Sequence, residues 1–316
     1  MEFVPNEFVE HAIENLSVLK SPVKPFGELA GRHWTNYAKA FSSKVFLYKV
    51  EFHRGPRNRR NQWDVNIKKR TNKKWRRIEL RELLRTPRKF IQFYIVTLEE
   101  GTEELPLSYR HSYEKVTRII DLLALQKRCY QFVVDIDDVL VTEEVLAKIH
   151  KRTFFKELSV SAEEIPSGPL HPIFLNFVKD QRAFGLCKSY TLSGYWPNEI
   201  FTWAKDVLMT GSSVDISIAS PVSDYSIYEE LFQWWENLEK PNLSSSFSAG
   251  VTFDRKEMEK FMTFVKKTKY QTVIGCKHKK HPKACAFALL SNANRNEVNL
   301  QFRNSGHEKA KEWLAV

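Results

Sequence analysis

The apolar positions along the chain change their period twice. Over residues 5–17, Phe8, Ala12, Ile13 and Leu16 recur at helical spacing and share one face. Pro5 suits a first helical turn, where its missing N–H costs nothing, and Glu7 and Glu10 favour a helix start. Pro22 and Pro25 break this helix, and residues 26–40 carry a second helical segment with Leu29, Trp34 and Ala38. The period then drops to two. Phe46, Tyr48, Val50 and Phe52 alternate with other residues, as do Trp63, Val65 and Ile67, and Ile78 and Leu80 continue the pattern after a turn near Thr71-Asn72. A further apolar strand runs from Phe90 to Leu98. Alternation bounded by Gly55-Pro56 and Asn-containing turns predicts antiparallel hairpins.

From about residue 113 strand and helix patterns interleave. An amphipathic helix over Tyr113–Lys127 places Val116, Ile119, Ile120 and Leu123 together. Strands are predicted at Phe132–Ile136, Glu157–Val160, Lys188–Leu192, Asp215–Ala219 and Phe247–Phe253. Helices are predicted at Glu143–Lys151, Pro172–Arg182, Asn198–Met209, Ser223–Glu239 and Arg255–Lys267. Their inward faces include Ile173, Phe174, Phe177 and Val178, then Ile227, Leu231, Phe232 and Trp235. Such alternation implies βα units on a parallel sheet. The spacing of strand starts is close to that of leucine-rich repeats, but the Leu-x-x-Leu-x-Leu-x-x-Asn consensus is missing, so the pattern reads as an irregular βα solenoid. Strands at Thr272–Ile274, Ala284–Leu290 and Glu297–Phe302, then a helix at His307–Leu314, would close and cap it. The expected fold class is α+β: a helical module over 1–42, an antiparallel β-meander in a basic region over 43–112, and a βα repeat domain with a parallel sheet over 113–316.

Composition narrows the class. A chain of 316 residues with 42% apolar and 13% aromatic content can build folded cores, which argues against a disordered chain. No window approaches the run of about 18 apolar residues that a membrane helix needs. The start Met1-Glu2-Phe3 lacks the charged-then-apolar pattern of a secretory leader, and four scattered Cys make no disulfide framework. A cytoplasmic or nuclear location is expected. The net charge of +11 is concentrated: residues 54–90 hold 15 Lys/Arg against Asp64, Glu79 and Glu82, and the remainder sums to about −1.

Val4, Pro5, Ile13, Leu16, Leu29 and Trp34 stand at the apolar and Pro positions of a hydrophobic-Pro-x-Glu helix followed by a Leu-x4-Trp helix. This opening resembles an F-box. The spacer Ser17–Gly27 is longer than the family's and carries two prolines, and Ala30-Gly31 replaces its usual pair before the basic-Trp element. The whole layout resembles the expanded nematode F-box-type families. That resemblance implies a non-enzymatic adaptor that docks on a Skp-type adaptor through Leu16 and Trp34 and offers its repeats to a ubiquitylation substrate. It implies no cofactor.

Three other clusters carry alternative chemistry. Arg59, Arg60, Lys68, Lys69, Arg70, Lys73, Lys74, Arg76 and Arg77 interleave with Trp63 and Trp75, a pattern that suits an anionic partner or a nucleic acid, although a solvated hairpin face with core Trp is the commoner outcome. Phe132–Leu140, with Asp135, Asp137 and Asp138, resembles the first motif of Mg²⁺-dependent haloacid-dehalogenase-type phosphatases. There Asp135 would be nucleophile and Asp137 general acid. No downstream acidic pair completes that site, and a polar turn capping a helix at Thr142 is the simpler reading. Cys276, His278, His281 and Cys285 are metal-ligand types, yet their spacing matches no zinc pattern and intervening lysines oppose a cation, so a basic hairpin loop is expected. Cys129 and Cys187 read as small core residues. No nucleotide-binding glycine loop or Ser/His/Asp set is present.

Overall fold

The computed structural model describes residues 8, 32–54, 62–72, 74–100, 110–135, 139–162, 172–182, 185, 187–222, 225–241, 244–260, 262, 264–267, 269, 271–291 and 297–304. The described residues form a mixed α/β protein with seven helices and fourteen strands. They fall into two compact units, one drawn from Met1–Leu158 and Asn176–Leu186, the other from Ser159–Leu175 and Cys187–Val316. Among them no helix is long and apolar enough to cross a membrane. The predicted helices at 5–17 and His307–Leu314 lie outside the described residues.

The first unit opens with α1 (Arg32–Lys44), followed by β1 (Phe46–Arg54), β2 (Gln62–Thr71) and β3 (Lys74–Ile78). These strands pair antiparallel, β1 with β2 and β2 with β3. Asn72, at φ 47°, sits in the two-residue turn between Thr71 and Lys74, a position where Asn tolerates the left-handed backbone. The expected meander ends there. Leu80 does not continue the strand pattern but opens α2 (Leu80–Arg85), which turns Leu80 and Leu83 inward. A 3₁₀ turn over Arg88–Phe90 then leads into β4 (Ile91–Glu100), which pairs with β1 in parallel. The correction has a simple cause. An odd number of antiparallel strands leaves the chain at the far end of the sheet, and α2 returns it before β4 begins, so β4 runs the same way as β1.

The short β5 (Arg110–Ser112) pairs with the start of β2. After it come α3 (Tyr113–Ala124), β6 (Arg128–Asp135), α4 (Val139–Ile149) and the first part of β7 (Phe154–Ala162). The strand order is β7-β6-β4-β1-β2-β3, with β4 and β6 parallel. Right-handed crossovers that step one way along a sheet put their helices on one face. On that face Phe132 stacks on Phe155 at 4.8 Å between ring centres, and Phe177, from the end of α5 (Pro172–Asp180), meets Phe132 edge-on at 6.0 Å. All three rings are fully buried, worth about 1.5–3 kcal/mol each. Two glutamines repeat one device. The Gln126 amide donates to the Ile91 carbonyl and accepts from the Phe93 N–H, and Gln181 does the same for Thr153 and Phe155. Each ties the start of a strand to the end of the helix that follows it and satisfies backbone groups that burial would otherwise orphan.

The second unit contains β8 (Ser189–Gly194), α6 (Glu199–Met209), β9 (Asp215–Val222), α7 (Ser226–Asn237) and β10 (Ser245–Val251). Its three strands are parallel neighbours in chain order, which bears out the βα alternation. Gly211, at φ 75°, follows α6 and donates to the Leu208 carbonyl, a left-handed helix ending that favours glycine. The segment predicted as a helix over Arg255–Lys267 differs: a 3₁₀ helix spans Arg255–Lys260 and β11 (Phe264–Lys267) follows. Pairing of Val265 and Lys266 with Ile274 and Val273 on β12 (Gln271–Lys277) outweighs the helical spacing. β13 (Ala284–Ser291) and β14 (Glu297–Asn304) complete an antiparallel set in which β14 pairs with β10. A Cβ on Gly275 would lie 2.7 Å from the Phe287 ring and 3.0 Å from the Ala286 carbonyl, so the close approach of β12 and β13 requires glycine.

Candidate interaction face

Phe132, Phe155 and Phe177 pack on one face of the first unit's sheet, and half-buried side chains of β4, β6 and β7 form a row on the other. Along β4, β6 and β7 the burial does not alternate strictly: two half-buried residues separate buried ones at Phe93/Val96, Cys129/Phe132 and Phe155/Leu158. On β4 the cause is a bulge. Tyr48 pairs with Phe93 and Lys49 with Ile95, so Tyr94 is an extra residue and turns outward beside Ile95. Tyr94 then stacks on Tyr130 at 4.5 Å with a 10° interplanar angle, and Trp75 lies 6.2 Å from Tyr94. The Lys156 ammonium sits 5.0 Å over the Tyr130 ring. A hydrogen bond to Glu157, with burial added, pushes the Tyr130 phenol up to about 12, so it stays a donor to that carboxylate. The rings are engaged with one another. Tyr94 lies flat against Tyr130, so a nucleobase has no free ring face between them to stack on.

The predicted basic residues divide into three groups. Arg59, Arg60 and Lys73 lie outside the described residues. Lys68 is neutralised inside the unit: Glu51 receives Lys49 at 2.6 Å, Lys68 at 3.0 Å and the Asn66 amide at 2.5 Å. Burial pushes the Glu51 carboxyl up, but the two ammonium groups outweigh it and hold the carboxyl below its ordinary value. Lys69 pairs with Glu82 at 3.3 Å and lies 3.8 Å over the Phe46 ring. Arg70, Lys74, Arg76 and Arg77 are exposed. Trp63 is a core residue, 1% exposed, whereas Trp75 is 36% exposed.

Of the F-box-like positions, Val4, Pro5, Ile13, Leu16 and Leu29 lie outside the described residues. Trp34 is on α1 and is 8% exposed, with Ala38 buried one turn later, so its indole is covered by the chain itself. Asp135 ends β6 and is exposed; Asp137 and Asp138 lie outside the described residues.

The Cys276/His278/His281/Cys285 group has a structural explanation. The buried His278 ring uses both nitrogens: Nε2 donates to the Trp235 carbonyl at 3.2 Å, and Nδ1 accepts from the Lys280 N–H. It stands edge-on to the Trp235 indole, which stacks on Phe302. Burial first, then the charge of Glu236, pushes the Cys276 thiol up to about 12, far from the thiolate that zinc needs. Among the described residues no group of three metal-ligating side chains is placed to hold an ion.

Sequence reasoning missed the aromatic row and the two glutamine clamps. A signal for the row was present in Phe93-Tyr-Ile-Val96, Cys129-Tyr-Gln-Phe132 and Phe155-Lys-Glu-Leu158, the same apolar-x-x-apolar step in three strands. No family model, no curated protein and no solved structure matches the chain.

Proposed function

We propose that the protein is a non-enzymatic capture receptor, whose N-terminal F-box-like segment docks on a Skp-type adaptor and whose βα sheet holds a second protein for ubiquitylation. The observation that supports this best is the succession of parallel strands and one-sided helices. It leaves a broad sheet face with half-buried and exposed side chains, the geometry of a protein-binding surface rather than of a catalytic cleft. On this reading Val4, Pro5, Ile13, Leu16 and Leu29 are the adaptor-facing residues. Trp34 serves the packing of α1, so it is a poor probe of docking.

Co-purification of a recombinant Skp-type adaptor with the full chain tests the reading. Wild type should retain the adaptor, and Ile13→Ala with Leu16→Ala should lose it at unchanged circular dichroism, since large apolar anchors dominate such interfaces. Failure of wild type to retain the adaptor overturns the docking role.

A further inference from the structure

A cavity of about 750 Å³ in the first unit lies between the end of β3, α2 and the start of α3. Its rim carries Arg77, Arg81, Arg85, Lys115 and Arg118, while Glu79 is the one carboxylate among its lining residues. Its floor is aliphatic: Val65, Ile78 and Leu80, with Leu84 beside them at 42% exposure. Among the described residues, Arg81, Arg85 and Lys115 make no ion pair, whereas Arg118 pairs with Glu114 at 2.8 Å and Arg77 is engaged within the protein.

The fold does not ask for this arrangement. Arg81 and Arg85 stand one turn apart on the six-residue α2, and Lys115 and Arg118 are three apart on α3. Like charges at these spacings repel and weaken a helix. Arg81 also sits in the first turn, where the helix dipole disfavours a cation. The same unfavourable spacing occurs twice around one cavity, and Glu79 in the lining and Glu114 on Arg118 leave Arg81, Arg85 and Lys115 without an ion-pair partner, which points to a ligand that supplies the negative charge.

The lining selects among anions. It holds no aromatic ring, so a nucleobase has no stacking partner. An aliphatic floor inside a cationic rim matches a polypeptide in which carboxylates flank a large apolar side chain, with Arg and Leu84 as its contacts. We infer that this cavity binds an acidic segment of a partner protein, anchored by an apolar side chain on the Ile78/Leu80/Leu84 floor and held by Arg81, Arg85 and Lys115. The inference deepens the reading of the chain as a capture receptor and rests on it for its biological sense.

Fluorescence anisotropy on the full chain without any adaptor tests it. The probe is a labelled peptide of Asp and Glu around a central Leu-Phe pair. Wild type should bind, and binding should weaken as salt rises. Arg81→Glu with Arg85→Glu should weaken it at least about tenfold, equivalent to about 1.4 kcal/mol. Lys188→Glu with Lys240→Glu, an equal charge change at exposed positions of the second unit, should leave it within about twofold. Leu84→Ser, or Ser-Ser in place of Leu-Phe in the peptide, should also weaken binding. No binding by wild type, equal losses in the two charge-reversal pairs, or tighter binding of an oligothymidine of equal charge would each overturn the inference. Because the assay omits the adaptor, peptide binding that survives loss of adaptor docking counts against the receptor reading alone. Adaptor docking without peptide binding counts against the cavity alone.

Discussion

The two lysine- and arginine-rich segments of this protein use charge in opposite ways. In the second unit, the end of β12 and the loop to β13 carry Lys277, Lys279, Lys280 and Lys283 around His278, and the lysines stay exposed while the His278 ring is buried. His278 is bonded at both nitrogens, Lys279 reaches Glu236 at 2.6 Å, and Trp235 closes over the ring. In the first unit, Arg81, Arg85 and Lys115 surround an open cavity and have no such partners among the described residues. Both segments look basic in sequence. The one rich in metal-ligand types is a structural fastening, and the one without any motif is the better binding site. What separates them is a buried imidazole fixed at both nitrogens, with Glu236 as the counter-charge of Lys279, against an open cavity flanked by Arg81, Arg85 and Lys115.

The contrast can be broken at its strongest point first. His278→Ala should cost about 3 kcal/mol, since it opens a void against Trp235 and leaves that residue's carbonyl without its donor. Urea unfolding checks this, and a loss under about 1 kcal/mol would mean that the loop is as peripheral as its lysines suggest.

Within the first unit, Glu51 separates spent cations from available ones. Glu51→Gln should cost about 1 kcal/mol at neutral pH, the upper end for a partly exposed pair. The sign follows from the depressed carboxyl. Its contribution is present above the unfolded value of about 4.3 and disappears as pH falls through the lower folded value. Wild type and variant should therefore converge in stability only once the pH has fallen below the depressed folded value of the carboxyl. A gap that persists in acid would assign the effect to packing.

A smaller effect is expected at the aromatic row. The raised Tyr130 phenol contributes fully below its unfolded value of about 10, and the contribution is lost as pH rises through about 12. Tyr130→Phe should flatten the alkaline limb of the stability profile over that window. An unchanged limb would separate Tyr130 from Glu157.

The smallest change in stability should come from the site proposed to matter most for binding. Arg81→Glu with Arg85→Glu should shift stability by no more than about 0.5 kcal/mol while the acidic peptide is lost. A large destabilisation would move these arginines into the class of His278.

Much of the fold was legible along the chain. Leu231, Phe232 and Trp235 are buried on α7 as their spacing requires, and Ile119, Ile120 and Leu123 are buried on α3. Errors fell where two local signals compete. Leu80 fits a strand alternation and a short helix equally, and the segment after Arg255 has helical spacing but a strand partner in β12. The candidate site was legible only as excess charge. Lys68, Lys69, Arg81 and Arg85 look alike in sequence, yet Glu51 and Glu82 occupy the first two.

The sequence by itself determined the periods, and with them most of the helices and strands and the faces they turn inward, because burying one face of an element is a local property of its pattern; at Leu80 and after Arg255 the tertiary partner decided instead. The parallel pairing of β1 with β4, the bulge that turns Tyr94 outward and the identity of the unpartnered cations were decided by the tertiary structure alone. These depend on residues brought together from far apart in the chain, and a charge acquires its role from the neighbours that the fold supplies.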